Sequence, residues 1–165
     1  MDEKEFIRIK QSTVPEIRTI SNDDFFALVL DRLGRGETVE IPLTGISMNP
    51  LLQEGRDNLL LAPLAPDAPL HRYDVVLFRY GDTCLLHRIR KINGETLVTR
   101  GDAINSVETP RRSDVVAKLV AVRNTQTGKL TQCDSLKWKL LSRKTVLVKN
   151  IKVKVRRTFR INLDK

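Results

Sequence analysis

Seven short runs rich in Val, Ile and Leu follow one another: Thr38–Leu43, Asn58–Ala62, Asp74–Tyr80, Cys84–Ile92, Glu95–Thr99, Val115–Arg123 and Lys129–Gln132. Gly-Asp, Asn-Gly and Pro-containing breaks separate them, which is how a hairpin-rich sheet is written. The fold class this predicts is mainly β. The strongest turn signal is Asn93-Gly94, a two-residue type I′ turn that lays Cys84–Ile92 antiparallel to Glu95–Thr99. Three prolines between Ala62 and Pro69 make that stretch a loop. Upstream, Phe25, Phe26, Leu28, Val29, Leu30 and Leu33 recur at helical spacing. Ser21, Asn22, Asp23 and Asp24 supply caps and first-turn negative charge, and Gly34 and Gly36 supply a stop. One helix is expected over about 21–33.

Charge divides the chain. The net charge is +9, yet residues 1–136 carry 18 Lys/Arg and 19 Asp/Glu, whereas residues 137–165 carry 11 Lys/Arg against Asp164 alone. A near-neutral body with a basic tail points to a folded unit and a segment that seeks an anionic partner, whether lipid headgroups, nucleic acid or an acidic protein face. The tail's period is ambiguous. From Ile151 to Leu163 apolar residues alternate with Lys and Arg as in a strand, while Leu147, Ile151, Val155 and Phe159 are spaced by four as in a helix. Leu136, Trp138, Leu140 and Leu141 suit a helix just upstream. The expected organisation is therefore an N-terminal segment, 1–37, a β domain, 38–133, and a basic amphipathic tail, 134–165.

The longest apolar run, Phe25 to Leu30, has six residues, far short of the roughly 20 that a membrane span needs. The acidic start, Met1-Asp2-Glu3-Lys4-Glu5, lacks the basic and apolar regions of a secretory signal. Cys84 and Cys133 have neither disulfide-framework nor zinc-site spacing. A cytoplasmic protein, peripheral to a membrane if the tail binds one, is the expectation.

Two segments carry chemistry. In Gly45-Ile46-Ser47-Met48-Asn49-Pro50-Leu51 a small residue precedes an isolated Ser and a Pro follows three residues later, a sharp turn that can present a hydroxyl and a backbone N–H to a carbonyl. A Ser that merely bonds its own backbone is the bland reading. His87 lies inside the apolar run Leu85–Ile89 and, to act as a general base, needs a partner that fixes its tautomer. The Asn93-Gly94 hairpin returns Arg100-Gly101-Asp102 past the His87 strand, so Asp102 or Glu108 can supply the carboxylate. His71, Arg111 and Arg112 read as solvated surface, and Cys84 and Cys133 as packing residues.

At these residues the sequence resembles the signal peptidase I superfamily and, more broadly, the S24/S26 serine peptidases. Ser47-Met48-x-Pro50 looks like the nucleophile box, Gly55-Arg56-Asp57-Asn58-Leu59 is similar to the segment that follows it, and Arg72–Phe78 looks like the Gly-Asp-Val-Val-x-Phe strand. Leu86–Ile89 and Thr99–Asn105 look like the last two boxes. Five boxes in order over roughly 38–122 are far more specific than any one of them. The resemblance implies a signal-peptidase/LexA-like antiparallel β-fold with one N-terminal helix and a basic C-terminal appendage. It implies a serine-type endopeptidase without metal or cofactor, of the His-based endoplasmic-reticulum and archaeal type rather than the Ser-Lys type. Ser47 is then the nucleophile, His87 the base, and Asp102 or Glu108 the orienter. Glu108 stands where that subfamily has an Asp. The oxyanion hole would include the Ser47 N–H, with Gly45 standing where some relatives place a hydroxyl donor. Ile41, Leu43 and Thr44 would pair with an extended substrate, flanked by Met48 and Pro50.

Three readings follow. The first is a peptidase that cuts an extended peptide or precursor protein. The second is a degenerate relative that binds a peptide or protein without cutting it, which the altered Glu108 and the lack of the membrane spans that anchor signal peptidases favour and the retained Ser47 and His87 oppose. The third gives the tail to nucleic acid. It ranks last, because one Trp and one Phe among the basic residues are thin for base stacking. For residues 137–165 two readings stay open, contact with an anionic membrane surface on one side and a solvated face or a strand that completes the sheet on the other.

Overall fold

The computed structural model describes residues 22–65 and 67–163, together with a small antiparallel pair, β1 (Phe6–Ile7) and β2 (Arg18–Thr19); side chains are described from Asp24 to Ile151, Pro66 aside. Ser21 of the expected cap lies outside the described residues. Helix α1 (Asn22–Gly34) turns Phe25, Val29 and Leu33 into the core at four-residue intervals, the stripe a 3.6-residue period requires. The chain then enters one antiparallel sheet of β3 (Val39–Pro42), β4 (Asp57–Pro63), β5 (Val75–Tyr80), β6 (Thr83–Asn93), β7 (Thr96–Arg100), β8 (Val115–Asn124) and β9 (Leu130–Gln132). The spatial order is β3-β4-β8-β5-β6-β7. On the far side of β8 from β4, Val115–Lys118 pairs with β5 and Ala121–Arg123 with β9. The seven runs read from the sequence are these seven strands, and the protein is mainly β.

Both faces of the sheet are covered. Strand β5 is buried at four successive positions because Val75 and Leu77 join one apolar cluster while Val76 and Phe78 join the other. The larger cluster holds the inner residues of α1 and of β3, β4 and β8, with Met48, Leu52 and Trp138. The smaller gathers Leu70, Val76, Phe78, Ile89, Leu97 and Val115.

Two details differ from the sequence reading. The β6–β7 pairing runs one residue further than expected, Asn93 opposite Thr96, so Gly94 and Glu95 form the turn and Gly94 takes the positive φ of 56°. Glycine enters that conformation without steric penalty, whereas Asn93 keeps its place in the ladder. The tail resolves to helix: α2 (Leu136–Leu163) is one continuous helix of 28 residues. Among the described residues no helix is long and apolar enough to cross a membrane.

Candidate active site

Ser47 sits in the loop that joins β3 to β4. The loop leaves β3 through Gly45, whose φ of +79° lies in the left-handed region, and returns through an anchored turn. The anchor is Asp57, 4% exposed, which accepts a forked pair of bonds from Arg56 and a further one from the Gln53 N–H at 2.9 Å. This pairing raises the pKa of Arg56. Met48 is 1% exposed and packs in the larger core, so the residue after Ser47 pins the loop while Ser47 stays half-buried and Ile46 stands out in solvent.

His87 lies in the middle of β6 opposite Val76, buried at 4% exposure and 6.4 Å from the Phe78 ring. Its Nδ1 is 2.8 Å from Oε2 of Glu108, itself 5% exposed. With Glu108 ionised and the ring neutral, this contact takes Nδ1 as the donor and leaves the lone pair on Nε2. Glu108 reaches this position because residues after the β7 strand double back along it: Thr99 N–H donates to Glu108 O at 2.9 Å and Glu108 N–H to Thr99 O at 3.0 Å. The buried Thr99 hydroxyl adds a long contact, 3.4 Å, to the same Oε2.

Gly101 joins the two halves of the site. A Cβ built there would lie 2.7 Å from Ser47 O and 3.1 Å from His87 Nε2, so the ring nitrogen and the Ser47 backbone both crowd the same point. The next backbone amide but one, Ala103 N–H, donates to Ser47 O at 2.8 Å. The described hydrogen bonds include none between the Ser47 hydroxyl and His87.

Of the two carboxylates expected as orienter, the structure brings Glu108 and not Asp102 to His87. Asp102 is held by Arg88, both side chains at 0% exposure, through three contacts of 2.7 to 3.1 Å. Successive strand residues point to opposite faces, so the residue after His87 and its acid belong to the other side of β6. There Arg88 also donates to Tyr73 O at 2.9 Å and to the Ser142 hydroxyl of α2 at 3.0 Å, and Lys149 of α2 donates to Ala103 O at 2.6 Å. Tyr73 takes a φ of +81°, unfavourable for a non-glycine residue, and is held by its N–H to Ile89 O as well as by Arg88. Sequence reasoning missed this network. Its one advance signal is Arg88 itself, a charge inside an apolar strand in opposite phase to His87, which demands a buried acid.

The expected substrate-binding residues divide. Ile41, Leu43 and Met48 turn their side chains into the core, at 8%, 6% and 1% exposure, so any pairing of this segment with a peptide would run through its backbone. Alternation puts Val39 and Ile41 inward, and Leu43 is held there by its N–H to Asp57 O. Thr44 and Pro50 are exposed, as is Gly45. The outer side of β3 has no strand partner among the described residues, whereas β7 is lined by residues 108–111.

Arg90 and Arg100 stand near Arg88 with guanidinium nitrogens enclosed and unpartnered. Burial first, and then the Arg100 charge, lower the pKa of Arg90. Burial pushes the Cys84 thiol up and the Cys133 thiol up to about 12, which fits packing rather than nucleophilic use. His71 and Arg111 are exposed.

No family model matches the chain, and neither a curated protein nor a solved structure matches it.

Proposed function

We propose that the protein is a serine endopeptidase of signal-peptidase type, with Ser47 as nucleophile, His87 as general base and Glu108 as orienter, on a signal-peptidase/LexA-like β-fold. The observation that carries this reading is the 2.8 Å bond from His87 Nδ1 to Glu108 with Nε2 left toward Gly101 and the Ser47 backbone. A buried His in a sheet core needs only one satisfied nitrogen to be inert. A carboxylate on one nitrogen and a glycine-cleared approach at the other is the arrangement that general-base catalysis requires.

In the proposed reaction His87 Nε2 takes the Ser47 hydroxyl proton as Oγ attacks the scissile carbonyl, and the ring, now cationic, is stabilised by Glu108. The proton then passes to the leaving amine, and water repeats the sequence on the acyl-enzyme. The Ser47 N–H is the first oxyanion donor. Substrate would lie extended along the open side of β3, with backbone rather than the Ile41 or Leu43 side chains making the contacts.

One observation favours the second reading, a peptide binder that does not cut: the absence of a described Ser47–His87 hydrogen bond. In a peptidase such a bond is often long in the free enzyme and tightens when substrate binds. Mass-spectrometric profiling of a diverse peptide library with the parent chain and Ser47→Ala separates the two. Cleavage by the parent alone supports the peptidase. Peptide retention with no cleavage by either chain supports the binder.

A further inference from the structure

Helix α2 has two apolar faces, and the fold uses one. Trp138, Ser142 and Val146, spaced by four, are buried against the sheet at 6%, 1% and 4% exposure, and Lys149 continues the line to Ala103. The opposite line runs through Leu136, Leu140, Leu147 and Ile151, exposed at 73%, 56%, 61% and 53%, with Leu141 and Val148 on its shoulder. At 3.6 residues per turn, spacings of four, seven and four keep these four residues on one narrow strip facing away from the sheet. Exposed Lys137, Arg143 and Lys144 border the strip, and the helix from Leu136 to Leu163 contains no Asp or Glu.

We propose that this outer strip is a lipid-contact surface, and that α2 lies in the headgroup region of an anionic bilayer while its inner face stays docked on the sheet. Apolar residues in the middle with cations at the margins are what an interfacial helix presents. The leucines enter the acyl boundary, while the Lys and Arg stems run beside them to the anionic headgroups. A second copy of the chain fits poorly, because two such strips face to face would oppose Lys to Lys with no acid on either helix. Nucleic acid fits poorly too, since phosphates need cations where the leucines stand. The docked face also carries Ser142 and Lys149, which hold Arg88 and Ala103, so a helix seated on lipid keeps the candidate site close to the surface. The surface does not require that the site be catalytic.

Co-sedimentation with vesicles tests this. The probes are phosphatidylcholine vesicles and vesicles in which about one lipid in four is phosphatidylglycerol. The chains are the parent, Leu140→Gln/Leu147→Gln/Ile151→Gln, Lys137→Gln/Arg143→Gln/Lys144→Gln, and Ser47→Ala. The parent and Ser47→Ala are expected to pellet with the anionic vesicles alone. Each triple variant is expected to partition about ten-fold less or weaker still, with unchanged thermal melting, because all six side chains are exposed. No pelleting of the parent, equal pelleting on neutral lipid, retention on DNA in place of vesicles, or a glutamine strip that binds like the parent would each overturn the proposal.

Discussion

Among the described residues, Gly101 is the one glycine of eight at which a Cβ would meet a neighbour within 4 Å. Ser47 O at 2.7 Å is backbone and cannot swing aside, and Ile104 Cγ1 stands at 2.8 Å. Gly101→Ala must therefore push the Ser47 loop from the His87 ring. It is expected to lower stability by about 1–3 kcal/mol and to abolish peptide cleavage, read by chemical denaturation and by the library assay. The two acids of the region predict opposite outcomes. Glu108→Gln leaves the packing nearly intact but removes the charge facing Nδ1, so kcat should fall by about 100-fold or more with KM little changed, and Glu108→Asp should recover part of it. Asp102→Asn instead strips the partner from an Arg with no solvent exposure and should cost about 3–5 kcal/mol of stability, visible as a lowered denaturation midpoint. A larger kcat effect from Asp102→Asn than from Glu108→Gln at temperatures where both are folded would reverse the assignment.

The strands were legible because β-branched runs and turn residues specify them locally, and the antiparallel β6–β7 hairpin was visible for the same reason. Its register was not, since Gly94 can occupy either turn position and only the ladder chooses. Which acid stands beside His87 was equally hidden. Asp102 is nearer in sequence, but β6 alternates its faces, and Glu108 arrives through a return segment that carries no strand signal. Helix α2 is the element whose period the sequence left open. Alternating Lys and Val residues satisfy a strand, and it is the burial of Trp138, Ser142 and Val146 at four-residue spacing that commits the segment to a helix. That docking is itself testable. Trp138→Ala should cost about 3–5 kcal/mol and Ser142→Ala about 1–3 kcal/mol through the unpaired Arg88 donor. Both should also reduce cleavage, because the loop at Gly101–Ala103 leans on α2.

For the molecule as a whole, the near-neutral body and the basic tail seen in the sequence correspond to a sheet domain and a helix that docks on it through Trp138, Ser142 and Val146. Cys133 gives the fold a pH signature. Its thiol stays protonated up to about pH 12 in the folded chain, against 9.0 for a free thiol, so its contribution to stability is complete below about pH 9 and is lost as pH rises toward 12. Cys133→Ala should flatten the alkaline limb of the stability profile, measured by denaturation between pH 8 and about 11. The peptidase reading stands or falls on a covalent intermediate. Rapid-quench intact-mass analysis of the chain with a cleaved peptide is predicted to reveal a transient acyl adduct mapped to Ser47, absent in Ser47→Ala and greatly slowed to form in Glu108→Gln. Cleavage with no adduct and unchanged by Ser47→Ala would contradict the account.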